Sequence, residues 1–329
     1  AITDHAALFG AVDFYQSAKK AGIKPIIGAE LYIAKINRFD KSSRTTSAGH
    51  NHILLLCESE EGYHNLCRLS SLGYLEGFHY RPRIDLELLE RYHGGLIGSS
   101  ACLAGEIPQR LLRDDRKGAD EAVERFVNIF GRGNFVLEVM DHGLPEQTRV
   151  NPLIVELGKR HGVMVIATND CHYTDKSDAE AHDALLAIQT NSNLNDEKRF
   201  NLGPSEFYVT SPEEMKRKFA QWPEAVANTE TVAARCNVEL PLHNHLIPKF
   251  VPPAGFAKEN YLRQLVQLGL EDRYDGRPAP LHLDRADFEL DVIERMGFVD
   301  YFLVVWDLIN YARSQGIPVG PGRGSGAGS

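Results

Sequence analysis

Short strand-like runs alternate with amphipathic helical stretches through the first two thirds of this chain of 329 residues. The strand-like runs are rich in aliphatic residues and lie at 25–34, 52–57, 95–99, 135–140 and 163–168. Helical periodicity fills the intervals between them, at 11–21, 61–72, 119–130 and 147–161. Such alternation predicts a parallel sheet or barrel of the α/β class. About five to seven units within roughly 240 residues fit a (β/α) barrel better than a helical bundle.

The remainder of the chain is predicted to be helical. Strand-like runs end near residue 178, and Pro212 and Pro223 are each predicted to stand in the first turn of a helix. The stretch 240–255 is dense in proline and lacks a helical period, which predicts a linker. Helical periodicity returns at 261–274, 288–296 and 299–313, and the last of these is strongly apolar. We therefore expect a second domain to begin near residue 283.

Composition excludes several classes of protein. Hydrophobic residues make up 43% and charged residues 25%, which is ordinary for a globular protein and not for a disordered chain. No apolar run approaches the roughly 18 residues of a spanning helix, so we expect no membrane contact and a cytoplasmic location. The net charge of −9 would repel a phosphate backbone, so nucleic-acid contact needs a local basic patch or chain beyond this sequence. The five scattered cysteines favour reduced thiols over a disulfide framework.

Residues with metal-ligand chemistry stand beside several of the strand-like runs. They are Asp4, His5, Glu30, His52, Cys102, Asp170 and His172. Side chains two apart in an extended segment project to the same face, so Asp170 and His172 are expected to form a two-ligand unit. Imidazole, carboxylate and thiolate suit zinc, and a carboxylate-rich mixture also accepts manganese or iron. Because a divalent cluster at one end of a barrel polarises a phosphoryl oxygen and activates water, phosphoester hydrolysis is the predicted reaction class.

Several of these assignments stay open on the residue pattern alone. Cys102 also fits the pattern of a small buried hydrophobic residue. His52 stands at the start of its apolar run and not at its end, so spacing gives it no role. His142, in the turn after 135–140, is assigned no more than the orientation of that turn.

Glycines alternate with other residues over the segment 320–329. This segment lacks the GKS or GKT of a Walker loop and the spacing of a dinucleotide fingerprint. Backbone amides in such a segment can form a concave nest for phosphate oxygens, to which Arg323 can add a bidentate contact and the serines their hydroxyls. A flexible linker has a similar composition, so both interpretations stay open at this point.

Several long motifs occur in a fixed order along the chain. They are TDHAALFGA, GIKPIIGAELYIA, HILLLC followed by GYHNL, SSACLAGEIP, LEVMDHGLPEQ and ATNDCHY. Together they closely resemble the polymerase-and-histidinol-phosphatase (PHP) domain of the C-family replicative polymerases of bacteria, the polymerase III alpha subunits. The later sequence ERMGFVDYFLVVWDLINYARSQGIPVGPGRGSGAGS resembles the start of that family's palm. The resemblance covers nearly the whole chain and implies a PHP-type distorted (β/α) barrel, a helical linker and the beginning of a polymerase palm.

The resemblance also implies which residues bind metal. The family's ligands correspond to His5, Glu30, His52, Cys102, Asp170 and His172, and its divalent ions (Zn, Mn or Fe) form a centre of three. Asp4 would then accept a hydrogen bond that holds a neighbouring group instead of binding metal. The family's opening HxH motif and a further ligand would precede Ala1, so we expect both ends of this chain to be cut and its remaining cluster to bind metal more weakly.

By the same resemblance the chain has three parts. Residues 1–245 would form the PHP metal-binding domain with its C-terminal helices, 246–282 a linker and 283–329 the start of the palm. The glycine-rich segment would bind the triphosphate of an incoming deoxynucleotide (dNTP) through Arg323, Gly324, Ser325 and Ser329.

The implied function is that of a DNA-directed DNA polymerase. Its substrates would be primer–template DNA and dNTP, and the palm aspartates that hold Mg²⁺ would lie downstream of this chain. The PHP site would serve 3′–5′ exonuclease proofreading or a structural role. The implied partners are a sliding clamp, a clamp loader and a separate exonuclease subunit. Two alternatives are a stand-alone PHP phosphatase for a small phosphoester, which has no need of residues 283–329, and a non-catalytic PHP scaffold.

Overall fold

The computed structural model describes most of the chain. The described residues are 1–42, 49–196, 198–242 and 246–320. The residues predicted to bind a triphosphate lie outside the described ranges; they are Arg323, Gly324, Ser325 and Ser329. The chain divides into two compact units, Ala1–Leu240 and Pro241–Ser329. The three-part division made from the sequence stays a prediction.

A six-stranded mixed sheet forms the centre of the first unit. Its strands are β1 (Gly28–Ala34), β2 (His50–Cys57), β3 (Arg83–Ile84), β4 (Leu96–Ser99), β5 (Phe135–Met140) and β6 (Val165–Thr168). Their order across the sheet is β3-β1-β2-β4-β5-β6. Strand β2 runs antiparallel to both β1 and β4, whereas β3 with β1, β4 with β5 and β5 with β6 pair in parallel. The expectation of a parallel sheet is therefore correct for three pairs and wrong for β2.

The antiparallel course of β2 follows from its connection to β1. No helix lies among the described residues between Ala34 and His50. A strand reached without a crossover helix returns beside its predecessor in the opposite direction. As a result, the first residues of β2 lie at the same edge of the sheet as the last residues of the parallel strands.

The described part of the first unit contains nine α-helices. They are α1 (Ala11–Lys20), α2 (Glu60–Leu75), α3 (Leu86–Tyr92), α4 (Glu106–Leu112), α5 (Arg116–Phe130), α6 (Pro145–His161), α7 (Ala179–Gln189), α8 (Pro212–Lys218) and α9 (Pro223–Arg235). Pro212 and Pro223 stand in the first turns of α8 and α9, as predicted. The sequence pattern does not predict α3, α4 or β3, because they are too short to show a hydrophobic period.

Side-chain caps fix where four of these helices begin, and α2 and α5 show the geometry. The Ser59 hydroxyl accepts a hydrogen bond from Gly62 N at 3.3 Å at the start of α2, and Asp115 accepts one from Gly118 N at 2.9 Å at the start of α5. Each cap satisfies an N–H group that the first helical turn leaves without a partner. The same helices therefore start at residues that the sequence can specify locally.

The main core of the first unit lies between the sheet and its helices. It is formed by side chains with almost no exposed surface, among them Leu31, Leu55, Leu69, Phe135 and Ile154. All residues of β1 are buried along the strand. A polar side chain on β1 therefore needs a partner inside the protein, and Glu30 is such a side chain.

The second unit is helical in its described part. Its helices are α10 (Lys258–Arg273), α11 (Pro280–Arg295) and α12 (Val299–Ser314). The described residues 246–255 form no helix or strand, and residue 283, the predicted start of the second domain, lies inside α11. Leu262, Leu290 and Leu303 meet in the core of this unit. Among the described residues of the chain, no helix is long and apolar enough to cross a lipid bilayer.

Helix α2 lies very close to the turn before β4, and this close contact can be tested by mutation. An added Cβ at Gly62 would overlap the carbonyl oxygen of Gly95, so Gly62→Ala should lower the free energy of unfolding by about 2 kcal/mol or more. Gly73→Ala in the same helix is the matched control, because its Cβ would meet nothing nearer than 3.6 Å. Alanine favours a helix over glycine by about 1 kcal/mol, so the control should be neutral or stabilising. Urea unfolding measures both, and equal losses would contradict the close approach.

Candidate metal centre

Two histidines share one carboxylate near the start of β2. His52 Nδ1 lies 2.5 Å and His5 Nδ1 3.3 Å from the same oxygen, Oε1 of Glu30. One donor atom from each of these three residues lies within 4.8 Å of the other two. Donor atoms around a single zinc ion stand roughly 3 Å apart, so the group fits one divalent cation.

Backbone pairing brings three distant chain segments to this point. His5 bridges Glu30 alongside β1, and Ala6 N donates a hydrogen bond to the Glu30 carbonyl at 2.9 Å. Tyr32 pairs with His52 across the antiparallel ladder of β1 and β2. Because residues two apart on a strand face the same side, Glu30, Tyr32 and His52 share one face. The antiparallel direction of β2 thus explains how His52, near the start of its strand, reaches the carboxyl ends of the parallel strands.

Glu30 is a buried charge balanced by imidazoles. Burial acts to raise its pKa, but the hydrogen bond and positive charge of His52, helped by His5, outweigh burial, and the pKa of Glu30 lies below its usual value. Burial lowers the pKa of His5. Glu30 thus loses its proton at lower pH than an ordinary glutamate and His5 at lower pH than an ordinary histidine, so both are driven toward the protonation states that metal binding needs.

Cys102 lies next to this group. Its Sγ is 3.5 Å from His52 Nδ1. The loop that carries it is held to β2, because His52 N donates a hydrogen bond to the Ala104 carbonyl at 3.0 Å. Burial raises the pKa of the Cys102 thiol well above its usual value, and the negative charges of Glu30 and Asp170 add to this effect. A bound cation would act in the opposite direction and deprotonate the thiol.

Asp170 and His172 follow β6 and lie outside the group of three donors. Asp170 Oδ1 and His172 Nδ1 are 3.9 Å apart. The φ of Asp170 is 42°, so the extended geometry that we expected here is wrong, and a left-handed residue sets the spacing of the two side chains. Both lie within electrostatic range of the candidate centre, because both act on the pKa of His5. Their assignment as metal ligands stays a prediction.

Asp4 helps to position the N-terminal segment through its backbone. Its carbonyl oxygen accepts a hydrogen bond from Glu30 N at 3.1 Å, which helps to hold the N-terminal segment against β1. The Asp4 side chain is exposed, and no described residue donates a hydrogen bond to its carboxylate. The role of that carboxylate in holding a neighbouring group stays a prediction.

The residue pattern misses a second buried carboxylate, Glu138 on β5. Its side chain accepts hydrogen bonds from the hydroxyls of Ser99 and Thr168, the latter at 2.6 Å. These bonds tie β5 to the end of β4, which leads to Cys102, and to the end of β6, which leads to Asp170. Glu138 therefore fixes the relative positions of two loops that carry predicted ligands. A single acid inside the apolar run FVLEVM is the sequence signal that could have found it.

His142 also supports the candidate centre. Its ring has no exposed surface and stacks on Phe207, with ring centroids 4.0 Å apart. Burial lowers the pKa of His142, so the neutral ring donates through Nε2 to the Asn169 carbonyl at 2.8 Å and accepts through Nδ1 from the Gln147 amide at 2.7 Å. Its carbonyl partner immediately precedes Asp170. The turn that His142 orients is thus joined to the loop of Asp170, a link that no local pattern in the sequence indicates.

Comparisons with known proteins match the chain at both ends. The family model of the PHP domain matches residues 1–142, and that of the bacterial DNA polymerase III alpha NTPase domain matches residues 260–329. The DNA polymerase III subunit alpha of Treponema pallidum is 46% identical over 330 residues, covering 100% of this chain and 28% of that protein. The subunit of Thermus aquaticus is 41% identical over 389 residues, covering 100% and 32%. That of Borreliella burgdorferi is 44% identical over 331 residues, covering 100% and 29%.

The mixed sheet, the histidine–carboxylate group and the match over 1–142 define a protein with a PHP domain. The fold class predicted from the sequence is thereby confirmed. With the second match and the identity over the whole chain, the chain belongs to the family of the bacterial DNA polymerase III alpha subunits. It spans about three tenths of the length of these relatives.

The protonation of Glu138 gives a testable dependence of stability on pH. Burial raises the pKa of the folded Glu138 carboxyl to about 8, with the charges of Glu30 and Asp170 adding to this and the Thr168 hydrogen bond opposing it. The unfolded carboxyl titrates near pH 4.3, at about the usual pKa, so the folded state binds more protons and stability falls as pH rises between these values. In EDTA-treated protein, we expect Glu138→Gln to flatten this fall between about pH 5 and pH 8.

Urea unfolding at several pH values measures that slope. Glu146→Gln is the matched control, because Glu146 is exposed on α6 and should leave the slope unchanged. A Glu138→Gln slope equal to that of the unmodified protein would contradict the protonated carboxyl.

Proposed function

We propose that the PHP domain binds divalent metal ions and hydrolyses phosphoesters with them. The observation that carries this proposal is the convergence of His5 and His52 on the carboxylate of Glu30. A donor set of imidazole, carboxylate and a neighbouring thiol suits zinc, and a carboxylate-rich set also accepts manganese or iron. The remaining ligands in the proposal are Cys102, Asp170 and His172.

The side chains of the centre have separate tasks in this proposal. When bound, divalent ions polarise a phosphoryl oxygen and lower the pKa of a coordinated water to about 7. Glu30 supplies the negative charge that holds a cation, while His5 presents a neutral nitrogen. Tyr32 stacks on the His5 ring at a centroid distance of 5.6 Å and limits its rotation. Glu138 and His142 keep the surrounding loops in place by their hydrogen bonds.

We propose further that the whole protein is a DNA-directed DNA polymerase acting on primer–template DNA and dNTP. The match over 260–329 and the names of the relatives support this proposal. Its palm aspartates, outside this chain, would hold Mg²⁺ for phosphoryl transfer. The glycine-rich segment would bind the dNTP triphosphate, and its contacts in the proposal are Arg323, Gly324, Ser325 and Ser329.

Within such a polymerase the PHP site would act as a 3′–5′ exonuclease that removes nucleotides from a DNA end. A phosphodiester at a 3′ end has the chemistry that a divalent-metal centre hydrolyses. The match over 260–329 disfavours a stand-alone phosphatase, because such an enzyme does not need this part of the chain. A PHP scaffold without catalysis is the competing outcome of the tests below.

The same proposal includes the partners of the whole protein and its location in the cytoplasm. A replicative polymerase would work with a sliding clamp, a clamp loader and a separate exonuclease subunit. All five cysteines, each within the described residues, are free, which suits the reducing conditions of a cytoplasm.

The metal site is tested by replacing its donors in the full-length protein. We expect Glu30→Ala and His52→Ala to lower bound metal, measured by plasma mass spectrometry, because each removes a donor from the central group. The double variant Asp170→Ala with His172→Ala should lower metal content and any exonuclease activity together. His64→Ala is the matched control, because His64 is exposed on α2 and is not one of the proposed ligands.

The outcomes separate the proposals. Unchanged metal content in the double variant would remove Asp170 and His172 from the ligand set. Unchanged content in Glu30→Ala and His52→Ala would reject the centre itself. Bound metal in an unmodified protein that releases no 3′-terminal nucleotide would favour the scaffold over the exonuclease.

The glycine-rich segment is tested through Arg323. An arginine that binds a triphosphate by paired hydrogen bonds contributes to nucleotide affinity, so Arg323→Gln should raise the KM for dNTP by about tenfold or more. Binding of primer–template DNA, measured by fluorescence anisotropy, should change far less. The reverse pattern would make Arg323 a DNA contact.

A further inference from the structure

A cavity of about 390 Å³ is lined by helix α7 and by the segment 199–205. Tyr173, which directly follows the proposed metal ligand His172, also lines it. The ring of His182 on α7 stands edge-on to the His172 ring, with centroids 5.6 Å apart. His172 is within electrostatic range of Glu30, because it acts on the pKa of that carboxyl. The cavity therefore begins one side chain away from a proposed ligand of the metal centre.

Contacts at both ends of the segment 199–207 hold the walls of this cavity in place. Arg199 donates hydrogen bonds to both carboxylate oxygens of Asp183 on α7, one of them at 2.6 Å. At the other end, His172 N donates a hydrogen bond to the Phe207 carbonyl at 2.7 Å. These contacts come from the chain itself, so the cavity is preformed, and a preformed site loses less free energy to ordering when a ligand binds.

The lining offers flat aromatic surface together with aliphatic surface. The rings of Tyr173 and His182 lie with their centroids 5.3 Å apart, and the aliphatic surface comes from Leu186, Leu202 and Pro204. Nucleobases stack on aromatic side chains whatever their sequence, because every base has a π face. The volume of the cavity is within the range of small-ligand sites. A planar ring system is therefore the kind of group that this surface favours.

The charges of the lining disfavour an anion. Two acids, Glu180 and Asp183, line the cavity with one arginine, Arg199, which is already paired with Asp183. A phosphate would thus meet no unpaired guanidinium among the described lining residues. The amide of Asn201 and the hydroxyl of Ser205 also line the cavity and can exchange hydrogen bonds with a base edge or a sugar. The cavity suits the neutral part of a nucleotide, whose phosphate suits the metal centre.

We propose that this cavity binds the nucleoside of the 3′-terminal nucleotide while the metal centre hydrolyses the phosphodiester. This inference rests on the proposed exonuclease function, because the metal centre provides the cleavage. Tyr173 and His182 hold the terminal base by stacking. A 3′ end without a base lacks this contact and binds more weakly.

Calorimetric titration of the full-length protein with thymidine 5′-monophosphate and with inorganic phosphate tests the proposal. Leu186→Trp places a large ring in the cavity, so we expect it to raise the Kd for the nucleotide by about tenfold or more and to leave the Kd for phosphate unchanged. Leu185→Trp is the matched control, because Leu185 is the neighbouring residue on α7, is exposed and does not line the cavity. Bound metal, measured by plasma mass spectrometry, should be the same in both variants.

Replacement of His182 gives a second measurement that does not depend on filling the cavity. His182→Ala removes a stacking surface and should raise the Kd for the nucleotide by about tenfold, whereas His182→Phe should restore most of the affinity because it keeps a flat ring. Hydrolysis gives an independent readout. In the unmodified protein, the KM should be lower for an oligonucleotide with a 3′-terminal thymidine than for the same strand with an abasic 3′ end, and Leu186→Trp should remove this difference.

The binding data decide the proposal without any hydrolysis. Equal nucleotide affinity in Leu186→Trp and the unmodified protein, or equal losses in Leu185→Trp, overturns it, as does an unmodified protein that does not bind the nucleotide. An unmodified protein that hydrolyses no 3′ end rejects the exonuclease instead. The two failures are therefore distinguishable.

Discussion

The buried carboxylate of Glu30 constrains the arrangement of the whole first unit. It lies in a strand whose residues are all buried, where an unpaired charge would be strongly destabilising. Imidazoles from two separate segments meet this charge. They can do so only if the N-terminal residues run beside β1 and the first residues of β2 lie on its other side. The pairing of His5 with Glu30 and the β1–β2 ladder satisfy both conditions, so the same contacts that complete the sheet assemble the candidate centre.

The parts of the fold that the sequence predicts are those with local causes. Long amphipathic helices such as α5 and α6 repeat their apolar positions often enough to be recognised. Pro212 and Pro223 stand in first helical turns, where a backbone N–H has no partner within the helix, so the N–H that proline lacks is not missed. Strand direction has no comparable local cause. Alternation of strands and helices favours parallel pairing, yet β2 is reached without a described helix and runs antiparallel. Its direction becomes visible only in the assembled sheet.

The same distinction explains which site residues could be predicted. Residue type and strand-end position indicate His5 and Asp170, and Glu30 is an acid inside a strand-like run. His52 fails the strand-end rule because its strand is reversed, and only the family resemblance points to it. Glu138 acts through hydrogen bonds to residues far away in the chain, which no spacing predicts. The left-handed φ of Asp170 likewise depends on its surroundings, since an extended course was the local expectation.

The candidate donors gather on the face of β2 that carries His52. There the Glu30 carboxylate lies between the imidazoles of His5 and His52, which form the donor set of the proposed metal centre. Burial strengthens the interactions among these groups, so the contacts that keep Glu30 ionised also prepare the donor set for a cation.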